Sequence, residues 1–223
     1  MAKKENRRFR HELVGEFREV LTTERDILPT ETQGIVVLDY FEGKSDSNNI
    51  EDLTRNPENS SRIAFAANIF KDIAAQKLGK RREELTSEDL LAKDLPLFAI
   101  VGLTASLQTL KELSKENGIP EEKIHLVDNG KIGVGNTKTQ FENVVSNPAL
   151  GHATHLTFVS QSYHVPRLWR TADATLPDQM NYEILGVALS QMPYNVYRKV
   201  RGEIKRIIAY SAKGDISHDP RPQ

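Results

Sequence analysis

Short apolar runs of strand length alternate along the chain with stretches whose apolar residues recur every three or four positions. The strand-like runs are Gly34–Leu38, Leu97–Val101, Lys123–Val127, His155–Val159 and Tyr182–Leu189, all rich in β-branched or aromatic residues. The first, Gly34-Ile35-Val36-Val37-Leu38, is continuously apolar, as a central parallel strand covered on both faces would be. Helical spacing follows each run. Ile63, Ala66, Ala67, Phe70, Ile73 and Ala74 form one face of a helix that Ser60 and Ser61 are placed to cap and Gly79 to end. A second helix covers Leu107–Asn117 and is stopped by Gly118 and Pro120. A third starts near Thr139, whose spacing to Glu142 is that of a capping box. A fourth begins close to Ser162–Val165, because Pro166 is tolerated only in a first helical turn. Tyr194–Tyr210, with Val196, Val200, Ile204, Ile207 and Ile208 on one face, closes the chain. Ahead of the first strand, residues 6–21 carry Phe9, Leu13, Phe17, Val20 and Leu21 at helical spacing. Their polar face mixes Glu12, Glu16 and Glu19 with arginines, which favours packing on the domain over lying on a membrane.

Strands that alternate with helices predict an α/β fold: a Rossmann-like three-layer α/β/α sandwich with a mostly parallel sheet of roughly five strands. The expected organisation is an N-terminal amphipathic helix and linker (1–32), an α/β domain (33–211) and a disordered tail (212–223). Asp39 to Asn59 is polar, lacks either periodicity and reads as a long loop at the carboxyl edge of the sheet. Residues 80–94 read as a charged, solvated insertion with a short helix around Ser87–Lys93. Asp128–Thr137, with Gly130, Gly133 and Gly135, reads as a turn-rich loop.

The balance of charge narrows the partners. The 223 residues hold 30 basic and 31 acidic side chains, a formal net charge of −1, so no global field draws the protein to nucleic acid or an anionic membrane. The basic face of the closing helix, from Arg198 to Arg206, reads as solvated. Cysteine is absent, which removes disulfides, thiolate metal sites and cysteine nucleophiles and fits a reducing compartment. No run approaches the roughly 20 apolar residues of a membrane span, and a cytoplasmic protein is expected. Asp39-Tyr40-Phe41-Glu42-Gly43 follows the first strand where a dinucleotide site would carry GxGxxG, which disfavours NAD. GxSxG, HExxH and GxxxxGK[ST] are missing too. His152 and His155 are spaced like a metal pair but begin a strand, at the edge opposite the loops, and no metal is expected there.

The candidate chemistry gathers after the fourth strand. Ser160-Gln161-Ser162 places hydroxyls at the turn, and His164 and Arg167, three apart, share the first face of the following helix. Unpaired backbone N–H groups and the helix dipole favour an anion at such a position, and ligands of open α/β sheets bind beyond the carboxyl ends of the strands. The plain alternative is a solvated first-turn histidine and an arginine paired with a surface carboxylate. Arg62 reads as a first-turn arginine, where opposing the helix dipole costs about 0.5 kcal/mol, so it is expected to be held for a partner or a ligand. Asp39, Gly102 and Thr104 end the first two strands. With Glu142, Asn143 and Ser160 they are expected to complete one pocket. His164 would be general acid or base, with Glu142 orienting a donor or hydroxyl, and Arg62 and Arg167 would clamp the anion.

The order of these features resembles the YdcF-like family, which includes the SanA and ElyC envelope proteins. The resemblance covers about residues 33–211 and rests on the IVVL strand, the helix carrying Arg62-Ile63, the strand ending in Gly102, the Gly118-Ile119-Pro120 break, the Thr139, Glu142 and Asn143 cluster, and Ser160–Arg167. The last matches the family's hydroxyl-x-x-Tyr-His-x-Pro-Arg segment. It adds Thr139, Ser162 and Tyr163 to the expected site. Departures are Asp39-Tyr40 in place of a glycine-rich turn, Gly102 alone in place of Ser-Gly-Gly, Gln161 in place of serine, and one extra residue between Thr139 and Glu142. The resemblance implies an α/β sandwich with a polar pocket, an anionic small-molecule ligand, and a link to S-adenosylmethionine or to envelope glycan and lipid-carrier metabolism. Two functions stay open: an enzyme acting on a phosphorylated or nucleotide-like molecule, and a binding module for such a ligand without chemistry.

Overall fold

A computed structural model describes residues 2–22, 28–39, 54–130, 136–187 and 196–217. Its centre is a parallel sheet of β1 (Gly34–Leu38), β2 (Leu97–Gly102), β3 (Ile124–Asp128), β4 (His155–Gln161) and β5 (Asn181–Val187), in the order β3-β2-β1-β4-β5. Helices lie on both sides, as a Rossmann-like fold requires. Strand alternation decides which side chains meet which layer. Ile35, Val37, Phe98, Ile100 and Val159 share an apolar cluster with α2 (Pro57–Leu78) and α3 (Leu107–Glu116). Val36, Leu38, Ala99, Val101 and Phe158 face α4 (Thr137–Ser146) and α5 (Val165–Thr175). An edge-on aromatic pair sits in each layer, Phe70 with Phe98 and Phe141 with Phe158.

A third apolar cluster stands apart from the sheet. There α1 (Ala2–Thr22) packs Phe9, Leu13 and Phe17 against Ile204 and Ile207 of α6 (Val196–Ser211). Ile216 joins them, and the Ser217 amide donates to the Arg170 carbonyl, so the chain keeps its contacts to residue 217 and the tail read as disordered from 212 does not begin there. No helix among the described residues is long and apolar enough to cross a membrane.

Local caps move several expected boundaries. Helix α2 starts at Pro57, not at Ser60 and Ser61: the Asn56 side chain accepts the Asn59 amide at 2.9 Å and Pro57 fills the first helical position. Its far end closes at Gly79, whose φ of 63° is the left-handed cap. Asn136 caps α4 and Thr139 is its reciprocal partner, so the Thr139 to Glu142 spacing is not a capping box. Ser162–His164 forms a single 3₁₀ turn before α5, and residues 80–94 hold two such turns, Arg82–Glu84 and Asp89–Leu91. The expected loop over 39–59 lies outside the described residues from 40 to 53, as do Gly133 and Gly135.

Phe158 is fully buried in the central pair of strands and stacks edge-on with Phe141 at 4.7 Å. Phe158→Ala should lower the stability read from urea denaturation by about 3–5 kcal/mol, and Phe98→Ala on the other layer by a similar amount.

Candidate functional site

Strand order reverses between β1 and β4, so their connections lead to helices on opposite sides of the sheet, the kind of position where ligands of open α/β sheets bind. Arg62 reaches this edge from the second turn of α2, not the first, and is completely buried. Its Nε donates to the Gln161 side-chain oxygen and one terminal nitrogen to the Leu38 carbonyl. Glu58, one turn back, lies 3.8 Å from the other terminal nitrogen. Tyr163 donates its hydroxyl to Glu58 at 2.6 Å, and Lys199 of α6 brings its ammonium to 3.3 Å of the same carboxylate. Gln161 also donates to the Glu58 carbonyl and the Ser61 hydroxyl, which ties β4 to α2. The partners of Arg62 are therefore interior ones. It lends this region its charge, while its donors face the protein.

Asp39, the first residue beyond β1, accepts from Asn59 at 2.7 Å and Ser106 at 2.8 Å. Burial pushes its carboxyl above the usual range, opposed by those hydrogen bonds, by the charge of Arg62 and by the Leu103 amide. Gly102 makes this approach possible: a Cβ there would stand 2.9 Å from Leu110, 3.0 Å from the Ser106 hydroxyl and 3.2 Å from the Asp39 carboxylate. The glycine is needed for the space it leaves.

Ser160 and His164 form a buried pair, with the serine hydroxyl 3.1 Å from Nδ1 of the ring. Nε2 of His164 is buried with no hydrogen-bond partner among the described residues. Burial holds the imidazole well below its usual pKa, helped by the charges of Arg167, Arg62 and Arg206. A neutral ring amid guanidinium groups results. Arg167 is not free to clamp a ligand as it stands: Nε lies 2.5 Å from the buried carboxylate of Glu203 on α6, and a terminal nitrogen donates to Thr137 at 2.8 Å. Ser162 turns to the Val187 carbonyl, an approach that Gly186 permits because a Cβ there would fall 2.7 Å from the Ser162 Cα.

The remaining expected residues stand elsewhere on the same edge or off it. Thr104 donates to Asp128 at 2.8 Å, and Asn143 donates to the Asp128 carbonyl and the Asn129 side chain, joining the ends of β2, β3 and α4. Thr139 is spent on its cap. Glu142 is exposed on α4, 3.9 Å from Lys138, because a helix begun at Asn136 turns that position to solvent. The structure thus groups Arg62, Ser160, Tyr163, His164 and Arg167, with Asp39 and Gly102 beside them, and leaves Glu142 outside. Glu58, Asn59, Ser106, Gln161, Lys199 and Glu203 belong to the same network and were not anticipated. Only Asn56-Pro57-Glu58, a cap followed by proline and a first-turn acid, carried a local signal.

Two other features are distinct from this edge. An open groove of about 390 Å³ is lined by Lys71, Arg82, Leu85, Thr86 and Leu90, but Lys71 donates to the Asn117 carbonyl at the end of α3 and Arg82 lies 3.4 Å from Asp72. His155 opens β4 at the amino edge, 3.9 Å from Glu183, with His152 exposed in the turn before it. Among the described residues no group of three or more histidine or carboxylate side chains converges as metal ligands would.

The depressed His164 pKa has a definite sign in folding. The unfolded ring takes up a proton near its usual value of 6.5 and the folded ring does not, so this stability is complete above that pH and is lost as pH falls toward the folded-state pKa. The wild-type protein should lose up to about 1.4 kcal/mol per pH unit in that window, and His164→Gln should flatten the slope. Urea midpoints of both proteins across the acidic range check it; parallel slopes would show that His164 is not a buried neutral ring. No family model, curated protein or solved structure matches the chain.

Proposed function

We propose that this is a YdcF-like protein that binds a phosphorylated or nucleotide-like small molecule at the carboxyl edge of its sheet, between β1 and β4, and acts in the cytoplasm. The observation that supports the reading is His164: a buried imidazole whose Nδ1 is engaged by Ser160, whose Nε2 has no partner among the described residues, and which Arg62, Arg167 and Arg206 surround with positive charge. Buried polar atoms without partners are rare, and a neutral imidazole nitrogen beside cations suits a proton exchange with, or a hydrogen bond to, a bound anion. Arg167 supplies the charge-assisted contact and Arg62 the field behind it. In the enzymatic form of this reading, His164 is the general acid or base of a transferase or hydrolase.

Glu142 has no place in that mechanism, since it faces solvent on α4. That observation favours a second reading, a ligand-binding or envelope-metabolism accessory protein without turnover. Among the described residues His164 would then have a hydroxyl and no carboxylate to orient it. S-adenosylmethionine, the ligand the family resemblance raises, carries a cationic sulfonium that this ring of guanidinium groups does not favour, whereas phosphates fit it.

The test is a thermal-shift screen of nucleotides, sugar phosphates and S-adenosylmethionine, followed by turnover assays on the hits. His164→Ala should leave binding of a stabilising ligand largely intact and reduce any turnover by about 10²–10⁴-fold. Arg167→Lys keeps the charge but loses the planar fork, and should weaken binding about tenfold by calorimetry. Turnover by His164→Ala at the wild-type rate would remove the acid–base role. Ligands bound by the wild type but never turned over would leave the accessory reading.

A further inference from the structure

Helices α1 and α6 are joined to each other by apolar packing and to the rest of the protein largely by charge. Phe9, Leu13 and Phe17 of α1 and Ile204 and Ile207 of α6 form a cluster separate from both sheet layers, and of these two helices only Val20 packs on either layer among the described residues. Besides Val20, the Phe9 ring under Arg170 and the Ser217 amide on the Arg170 carbonyl, the attachments to α5 are ionic. Arg170 makes a bidentate pair with Glu16 of α1 at 2.8 and 2.7 Å, and Arg167, one turn earlier, takes Glu203 of α6. Lys199 of α6 reaches Glu58, and α6 lies over the 3₁₀ turn that carries His164.

We infer that the α1–α6 pair is a cap latched over His164 by charge, and that Glu203 occupies on Arg167 the place that the ligand's anionic group takes. Binding is then an exchange, in which a phosphate or carboxylate replaces Glu203 and α6 lifts. The inference rests on the reading of the site proposed above.

What each group keeps when α6 leaves supports this. Removing one partner of a buried ion pair is costly because a charge is stranded away from water. Glu58, deserted by Lys199, retains the Tyr163 hydroxyl and the nearby Arg62. Glu203 departs with Arg206, three residues along the same helix and already paired with it, so its charge travels neutralised. Arg167 loses its carboxylate and keeps the Thr137 hydroxyl, and Arg170 loses Glu16 of α1 and keeps the Pro166 carbonyl. The cost of opening therefore falls on these two guanidinium groups, and an incoming anion offsets it at Arg167. His164 Nε2 is uncovered by the same movement.

Calorimetric titration of the full-length chain with inorganic pyrophosphate tests the exchange, using wild type and Glu203→Gln. The variant lacks the competing charge and should bind about tenfold tighter or more. Hydrogen exchange of the wild type should show the amides of α6 losing protection when pyrophosphate is added. If Glu203→Gln does not fold, Glu203→Asp, whose carboxylate is drawn back by one methylene, should show the same direction of change. Pyrophosphate binding that is equal or weaker in the variants, with α6 protection unchanged, overturns the latch and leaves the site. Binding by none of the proteins overturns the reading of the site itself, and the latch with it.

Discussion

A guanidinium taken wholly out of water at the switch point of the sheet is the constraint on which the rest of this edge depends. Arg62 cannot be neutralised, so every donor it carries into the interior calls for an acceptor brought from elsewhere in the chain. The Leu38 carbonyl at the end of β1 and Gln161 at the end of β4 accept from it, and the Glu58 carboxylate on α2 lies 3.8 Å away. Three elements distant in sequence are thereby fixed at one point. Glu58, buried as a consequence, in turn recruits Tyr163 and Lys199, which brings the 3₁₀ turn after β4 and the closing helix into the same network. Breaking such a pair from one side costs far more than the pair is worth against an apolar substitute, so the network specifies arrangement more than it adds stability.

The architecture could be read from the chain because its causes are local and periodic. Gly34–Leu38 is apolar without interruption since both faces of β1 are covered, and Gly79 and Pro166 mark boundaries through backbone chemistry that needs no tertiary partner. The candidate site was readable only in part. Ser160 and His164 are four residues apart and meet through one turn of chain. Tyr163 and Glu58 are 105 residues apart and Gln161 and Arg62 are 99 apart, and no local pattern announces such pairs. Glu142 shows the opposite failure. Its spacing to Thr139 suited a cap, but Asn136 begins the helix one turn earlier and the register sends the carboxylate to solvent.

Gln161 illustrates how one side chain organises a site. Its long amide accepts from Arg62 and donates to the Glu58 carbonyl and the Ser61 hydroxyl. A serine could not span both, since a hydroxyl ends two bonds earlier and has a single proton to donate. Arg62 is thus drawn back toward β4 and kept from the surface. The side chain that can meet an outside anion is then Arg167, on the opposite layer, which is where the protein places a carboxylate of its own.

That carboxylate also bears on which form His164 takes. With Glu203 seated on Arg167, the net field at the ring is the sum of guanidinium charges partly balanced by a carboxylate, and burial already disfavours a proton on Nε2 in the charged form. A neutral imidazole has one protonated and one bare nitrogen, and the Ser160 hydroxyl can donate to Nδ1 or accept from it. If the serine donates, Nε2 carries the hydrogen and offers it to an anion's oxygen. If Nδ1 donates, Nε2 is bare and takes a proton from a hydroxyl. Ser160 can satisfy either tautomer without moving, so the choice passes to whatever enters beside Arg167. An approaching phosphate oxygen accepts and selects the first form, while an attacking hydroxyl donates and selects the second. The same pair can therefore serve a binding role and an acid–base role, and the chemistry of the incoming group decides between them.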